Sequence, residues 1–164
     1  MANIELQELF DAQAKLDQTI ADNHHVSYET TRHRRIMACY VEIGELANVT
    51  RCFKYWSNKG KEADEIVLDE YADGLHFFLS LGIDIKTSKK VYHITKHHDN
   101  LTDQFLEVYH RLDVFYKKQD DASYIKAFQT FLNLLPLLGY RWNRLKEAYY
   151  KKLGVNYNRQ ETNY

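Results

Sequence analysis

The stretch IVLDEYADGLHFFLSL, residues 66–81, decides the fold class of this chain. Its apolar side chains recur mainly at the three- and four-residue spacing of one helix face, as Ile66, Tyr71, Leu75, Phe78 and Leu79. A half-buried β-strand would instead alternate apolar and polar residues. The spacing therefore predicts a helix, the third of the chain, from about Lys61 to Leu81 with its end at Gly82.

Helical spacing continues through almost the whole chain, and residues that break helices are few. One Pro and six Gly occur in 164 residues. We therefore predict an all-α helical bundle formed by a single domain, residues 1–164. Two further helices are predicted before the third, one at about Ile4–Asp22 and one that runs from a cap at Ser27 or Thr30 to Phe53. Three more are predicted after it, at about Asp99–Gln119, at Ala122–Leu138, and after Gly139 to Leu153. Pro136 is expected to kink the second of these three or to end it early.

Two segments are predicted to lie outside the helices. Residues 83–98 are polar and rich in Lys and His, which indicates a connection with some local structure. Gly154 follows the last apolar-periodic residue and is predicted to end the last helix. Residues 155–164 are then predicted to form a polar C-terminal tail.

Composition and charge exclude several classes of function. Hydrophobic residues make up 45% and charged residues 27%, which is typical of a soluble globular protein. The formal net charge of −1 gives no general attraction to nucleic acid or to anionic membranes, so neither is expected as a direct partner. No segment approaches the roughly 18 apolar residues of a membrane span. The first six residues lack the basic and apolar regions of a signal peptide.

Cys39 and Cys52 are predicted to be reduced thiols. They stand 13 positions apart on one predicted helix, a separation of about 20 Å at the helical rise, which is too long for a disulfide. Reduced thiols and the absence of a targeting signal together predict a cytoplasmic protein.

Two carboxylate doublets in apolar surroundings suggest a metal site: Glu42 with Glu45, and Glu70 with Asp73. Residues three apart share a helix face, so two antiparallel helices could direct all four carboxylates into the active site between them. Unpaired, these charges would repel one another and resist burial. Mg²⁺ suits such an all-oxygen site, and it usually binds substrate phosphates as well. The doublets therefore predict chemistry on a phosphate ester or anhydride.

The alternative is four surface acids that pair with Lys or Arg side chains, since exposed carboxylates at helical spacing are common. Gly44 and Gly74 stand beside the acids and favour the metal interpretation. A glycine inside a helix costs about 1 kcal/mol relative to Ala. Close approach of another helix, or access for a metal ion, would explain why it is tolerated.

Four further residues are candidates for contact with a nucleoside. Gln13 occupies the apolar face of the first helix with Asp17 one turn later, and an amide can pair with part of a nucleobase edge. Trp56, in the turn at 55–60, could stack on a base. His76, one turn after Asp73, could contact a sugar or metal-bound water. The ordinary alternatives are a solvent-facing Gln and Asp, and an aromatic plug at a helix end.

The end of the chain offers a phosphate-binding set. Lys152, Asn156 and Arg159 lie on either side of the predicted helix end in a basic segment. Such side chains can fold over a phosphate chain and supply its counter-charge. A solvated helix face is the alternative explanation.

These elements occur in an order that resembles the dimeric all-α dUTPases, relatives of the MazG-type nucleotide pyrophosphohydrolases. The resemblance covers nearly the whole chain and implies a helical homodimer. The matching elements are Gln13-x-x-Leu16-Asp17, Glu42-x-x-Glu45, Phe53-Lys54-Tyr55-Trp56, Glu70-x-x-Asp73 and Ala148-Tyr149-x-x-Lys152-x-x-x-Asn156-x-x-Arg159-Gln160.

The resemblance also implies a role for each group of residues. The four carboxylates would hold Mg²⁺ at the phosphate chain, and Glu45 would help to activate water. The uracil pocket would be lined by Gln13 and Trp56, with Asp17 beside them. His76 and Phe77 would lie near the deoxyribose. The phosphates would be covered by Lys152, Asn156 and Arg159.

The implied reaction is Mg²⁺-dependent hydrolysis of dUTP, and also of dUDP, which limits uracil incorporation into DNA. From dUTP the products would be dUMP and pyrophosphate. Three alternatives stay open: a MazG-like pyrophosphohydrolase of another nucleotide, a phage-type member that also binds a repressor protein, and a helical interaction protein that keeps the acidic helices only as scaffold.

Overall fold

The computed structural model describes residues 3–162 and confirms the all-α prediction. Residues 1, 2, 163 and 164 of the predicted domain lie outside the described residues. Seven helices and two short strands are present in the described part: β1 Asn3–Glu5, α1 Gln7–His24, α2 Tyr28–Thr50, α3 Asp64–Asp84, β2 Val91–His93, α4 Leu101–Lys118, α5 Asp121–Leu132, α6 Leu134–Leu138 and α7 Trp142–Glu161.

Helices α2 and α3 form the antiparallel pair at the centre of the bundle. Ser27 caps α2 as predicted, and its hydroxyl accepts a hydrogen bond from the Thr30 N–H (3.2 Å). Near this end, Arg35 pairs with Asp84 at the end of α3 (2.7 Å). At the opposite end, Glu62 N–H, just before α3, donates to the Val49 carbonyl (2.9 Å). This pairing places both carboxylate doublets at the middle of the two helices.

The glycines beside the acids allow other helices to approach closely. A Cβ at Gly74 would lie 2.9 Å from the Phe131 ring of α5, closer than side chains pack. A Cβ at Gly44 would lie 3.2 Å from the Tyr109 hydroxyl of α4. Close helix approach therefore accounts for both glycines.

The predicted start of the first helix at Ile4 is wrong. Asn3–Glu5 forms β1, which pairs antiparallel with β2 and sets Ile4 opposite Tyr92. Both of these side chains are buried and close one end of the core. Strands of three residues are too short to show alternation in the sequence. The local structure predicted within residues 83–98 is confirmed by β2.

The predicted end of the last helix at Leu153 is also wrong. Helix α7 continues through Gly154 to Glu161, so residues 155–161 are helical rather than a tail. The same face of α7 carries buried Tyr149 and Lys152, which pack against α1 and α3. These contacts outweigh the cost of about 1 kcal/mol of a glycine within a helix.

The predicted helix from Ala122 to Leu138 is broken near Pro136. Proline has no N–H to donate to the Leu132 carbonyl, and the helix divides at Asn133 into α5 and α6. The buried Tyr71 hydroxyl instead donates to the carbonyls of Phe131 (2.7 Å) and Leu132 (3.3 Å). A side chain of α3 thus stabilises the break.

Two further expectations can be compared with the described residues. Cys39 is buried, Cys52 is partly buried, and neither forms a disulfide. Within residues 3–162, none of the helices combines the length and apolar composition that a membrane crossing requires.

Candidate active site

Three carboxylates converge where α2 and α3 pack together. Each of Glu42, Glu45 and Glu70 offers one oxygen, and these oxygens all lie within 4.8 Å of one another. Glu42 and Glu70 are partly buried, whereas Glu45 is exposed. Oε2 of Glu42 and Oε2 of Glu70 are buried, and no hydrogen-bond donor among residues 3–162 reaches them. Buried carboxylate oxygens that receive no hydrogen bond require either a proton or a cation.

Burial and repulsion raise the pKa values of this cluster. The pKa of Glu42 rises to about 8, first because burial removes water from the carboxyl group and then because its protonated form could donate a hydrogen bond to Glu45. Burial, followed by repulsion from Asp73 and Glu45, also raises the pKa of Glu70. A hard divalent cation would replace the proton and satisfy the unbonded oxygens, so the donor set fits Mg²⁺.

Asp73 differs from the other three acids because a lysine holds it. Lys152 Nζ lies 3.0 Å from Asp73 Oδ1 and 3.2 Å from Oδ2, and it also lies 3.0 Å from Asp69 Oδ2. The Lys152 side chain is only 7% exposed. Burial raises the pKa of Asp73, and the lysine opposes that rise. The alternative of acids paired with Lys therefore holds for this member of the four.

A cavity of about 650 Å³ extends from the carboxylates along α1, α2 and α3. It is large enough for a nucleoside and part of a phosphate chain. Its lining includes eight of the residues singled out in the sequence: Gln13, Asp17, Glu42, Asp73, His76, Phe77, Asn156 and Arg159. Glu45 and Glu70 each have an oxygen within 4.8 Å of one of Glu42, and Lys152 pairs with Asp73, but none of these three residues lines the cavity.

Gln13 is the hub of a buried hydrogen-bond network. Its Oε1 accepts from His76 Nδ1 (2.6 Å) and from the Tyr149 hydroxyl (3.2 Å), and its Nε2 donates to Asp17 Oδ1 (2.9 Å). Burial lowers the pKa of His76 to about 4, so the ring is neutral. The amide orientation set by Asp17 puts the ring proton on Nδ1. The Gln13 oxygen thus accepts two hydrogen bonds, while one of its two amide N–H groups has no partner among residues 3–162.

The far end of the cavity contains two residues that the sequence analysis missed, Tyr28 and Arg35. The Tyr28 hydroxyl donates to Asp17 Oδ2 (2.9 Å), and the Arg35 guanidinium lies over the Tyr28 ring, 4.9 Å from its centroid. Arg35 Nη2 also donates to the Tyr28 carbonyl (2.5 Å) and to Asp84 (2.7 Å). Arg35 precedes Glu42 by seven residues, which places the two on one face of α2. This spacing could have identified Arg35 from the sequence as a candidate residue of the site.

Trp56 lies outside the cavity in this chain. It is 65% exposed in the loop after α2, with its ring edge-to-face against Phe53 and Tyr55 at centroid distances of 6.0 Å and 5.2 Å. The loop leaves α2 beyond Glu45, at the opposite end of the helix from Tyr28 and Arg35. The path of the chain therefore separates Trp56 from Gln13.

Comparison with known proteins identifies one family. A family model described as dUTPase matches residues 5–164, nearly the whole chain. No curated protein matches the chain.

Proposed function

The chain belongs to the dUTPase family, and on that basis we propose that the carboxylate cluster and its cavity form a Mg²⁺-dependent site that hydrolyses dUTP to dUMP and pyrophosphate. The activity of the family is that of a dUTP diphosphatase, with dUTP as substrate. The observation that carries the proposed location is the position of the Glu42–Glu45–Glu70 cluster. Glu42 and Glu70 each have a buried oxygen without a hydrogen bond, and Glu42 lines a nucleoside-sized cavity.

Glu42, Glu45 and Glu70 would hold Mg²⁺, with Asp73 beside them. Bound there, the ion would polarise phosphoryl oxygens and lower the pKa of a coordinated water. Glu45 is the exposed member of the cluster, so its carboxylate is the one best placed to accept a proton from the attacking water.

The C-terminal half of α7 supplies donors for the phosphate chain. Asn156 and Arg159 line the cavity, and Lys152 Nζ lies beside Asp73 at its carboxylate end. Cationic and amide donors on one helix face can bind phosphate oxygens without a flexible tail. Because these side chains are already on a helix, little conformational entropy would be lost when the phosphates bind.

The polar end of the cavity has the donors and acceptors that a uracil edge needs. The remaining Gln13 N–H would donate to a uracil carbonyl, and the Asp17 carboxylate would accept from N3–H. Cytosine lacks that N3–H and would place a lone pair against Asp17. Phe77 would pack near the deoxyribose. His76 would act by fixing the Gln13 amide, since its Nδ1 is used in that contact.

The resemblance implies that Trp56 lines the uracil pocket, and this stays a prediction. In the single chain Trp56 is not among the residues that line the cavity, so that role would need a movement of the loop or a second subunit. Hydrolysis of dUDP at the same site is a further part of the proposal, because the cluster would grip a shorter phosphate chain in the same way.

A homodimer is also part of the proposal. Exposed apolar side chains on neighbouring helices provide a surface for a second copy: Met37 (63% exposed) and Val41 on α2, and Leu106 (62% exposed) and Tyr116 on α4. Between these side chains, the rings of Tyr40 on α2 and Tyr109 on α4 stack, with their centroids 5.9 Å apart. We name these four exposed residues the α2–α4 surface.

The proposed site is tested by product release from four nucleoside triphosphates and from dUDP, and by two substitutions. Pyrophosphate release should be rapid with dUTP and slow with dCTP, dTTP and UTP, and dUDP should yield dUMP and phosphate. Glu45→Gln and Asp73→Asn should each lower kcat for dUTP by about 10²-fold or more, as expected for groups that act on the reacting water or the metal.

Two results would contradict the proposal. Equal turnover of all four nucleotides would favour a MazG-like enzyme of broader specificity. Full activity of both variants would show that hydrolysis occurs elsewhere. Glu65→Gln is the matched control, because it removes a carboxylate from the exposed first turn of α3 and should keep wild-type kinetics.

A further inference from the structure

We propose that Asp69 is a positioning residue, which keeps its ion pair with Lys152 when Asp73 leaves Lys152 to bind the metal. Lys152 would then be a counter-ion that Asp73 exchanges for the metal. The inference rests on the proposed function, since it concerns the Mg²⁺ site described above. It assigns a role to Asp69, a residue outside both carboxylate doublets.

Lys152 contacts two carboxylates of α3 at once. Lys152 Nζ contacts both oxygens of Asp73, at 3.0 and 3.2 Å, and one oxygen of Asp69, at 3.0 Å. Asp69 and Asp73 stand four residues apart, on one face of α3. The ammonium group thus bridges two successive turns. Its side chain is 7% exposed, so its charge depends on these two carboxylates rather than on water.

Asp73 does not belong to the group of three glutamates whose oxygens converge. The oxygens of Glu42, Glu45 and Glu70 approach within 4.8 Å of one another without it. Both Asp73 oxygens are occupied by the lysine, and the Asp73 carboxylate is only 22% exposed. Asp73 can therefore contribute an oxygen to a cation only by giving up at least one contact with Lys152.

A bound cation would act in opposite directions on Asp73 and Lys152. A divalent cation among the glutamates attracts Asp73 and repels the Lys152 ammonium. A buried ammonium cannot be left without a partner. Asp69 already contacts it, and the Asp69 side chain is 50% exposed, so water can solvate its charge. Asp69 can therefore keep the ammonium beside the cavity, where its remaining N–H groups would face a phosphate.

This exchange makes Lys152 and the metal competitors for Asp73. Lys152→Met should then tighten the binding of Mg²⁺ to the substrate-free protein by about fivefold or more, a coupling of ordinary size. The same variant should raise KM for dUTP, because the phosphates lose the ammonium. Asp69→Asn should weaken Mg²⁺ binding, because Lys152 would be left to Asp73 alone.

The experiment is a double-mutant cycle on the full-length protein, with the dissociation constant of Mg²⁺ measured by titration calorimetry without nucleotide. The variants are Lys152→Met, Asp69→Asn and the pair combined. Lys151→Met, at the exposed neighbouring position, and Glu65→Gln, one turn before Asp69 on α3, control for the loss of one charge. In the Lys152→Met background, Asp69→Asn should weaken Mg²⁺ binding no more than Glu65→Gln does.

Unchanged or weaker Mg²⁺ binding in Lys152→Met would overturn the inference. So would an Asp69→Asn effect that persists in the Lys152→Met background, because Asp69 would then act on the metal without the lysine. If Lys152→Met does not fold, the comparison of Asp69→Asn with Glu65→Gln decides, and equal effects would overturn the inference. Failure of the wild-type protein to bind Mg²⁺ would instead refute the proposed metal site itself.

Discussion

At the scale of the residue, Glu42 links pH to stability. Its pKa is about 8 in the folded chain, against an ordinary value of 4.5, because the carboxyl is buried beside other acids. Between about pH 4.5 and pH 8, Glu42 is therefore protonated in the folded state and ionised in the unfolded state. Stability from this group is complete below about pH 4.5 and is lost as the pH rises through about 8.

We predict that the melting temperature of the metal-free protein falls between pH 5 and pH 8. Glu42→Gln, which cannot ionise, should flatten that dependence, and saturating Mg²⁺ should flatten it as well by replacing the proton. Thermal denaturation followed by circular dichroism across this range measures the effect. The same slope in Glu42→Gln as in wild type would show that another group is responsible.

Asp17 carries the proposed discrimination between uracil and cytosine. Asp17→Asn offers a donor where the carboxylate accepts, and an amide can pair with N3 of cytosine. The ratio of kcat/KM for dUTP to that for dCTP should fall about tenfold or more, as expected for loss of a hydrogen bond to a charged group. Asp22→Asn, at an exposed position later on α1, is the control and should keep the wild-type ratio. An unchanged ratio in Asp17→Asn would place base recognition elsewhere.

Residue spacing predicted the glutamate cluster but not the partner of Asp73. The Glu42–Glu45 and Glu70–Asp73 spacings are local, so helix geometry alone brings each pair to one face. The contact between Asp73 and Lys152 joins residues 79 positions apart and depends on how α7 packs against α3. No local pattern in the sequence contains that information.

At the scale of the element, two glycines should respond oppositely to the same substitution. A Cβ at Gly74 meets the buried Phe131 ring at 2.9 Å, whereas a Cβ at Gly154 meets nothing within 4 Å. Gly74→Ala should lower the free energy of unfolding by about 1–3 kcal/mol through overpacking. Gly154→Ala should raise it by about 1 kcal/mol, because alanine favours the helix.

Urea denaturation measures both changes. Destabilisation by Gly154→Ala would contradict a continuous α7, and would instead support the helix end predicted at Leu153. Tolerance of Gly74→Ala would contradict the close packing of α3 against α5.

Helix positions were predicted well because long apolar-periodic segments specify them. The errors occur where tertiary contacts act over short segments. Packing of Lys152 and Tyr149 on α3 and α1 extends α7 past Gly154. The pairing of β1 with β2 joins segments about 90 residues apart.

At the scale of the whole molecule, the family and the fold were accessible from sequence, whereas the shape of the cavity was not. The order of motifs along the chain is a property of the sequence and identifies the dUTPase family. The far wall of the cavity combines Tyr28 and Arg35 of α2 with Asp17 of α1, and only the packed bundle brings them together. The exposed position of Trp56 is likewise set by the loop path.

The α2–α4 surface predicts the state of association in solution. The pair Met37→Glu and Leu106→Glu should convert a dimer into a monomer, because two charges would have to be buried in the interface. Both positions are exposed in the single chain, so the fold should persist, as circular dichroism would show. Sedimentation velocity measures the mass. A dimer that survives the double substitution would place the interface on another face.

The central claim is that Glu42, Glu45 and Glu70 hold a divalent cation against the phosphates of dUTP. The most direct measurement is anomalous diffraction from crystals grown with Mn²⁺ and a non-hydrolysable dUTP analogue. We predict an anomalous peak bounded by oxygens of these three glutamates, with the uracil ring near Gln13 and Asp17. A peak elsewhere, or a nucleotide bound away from this cavity, would contradict the account.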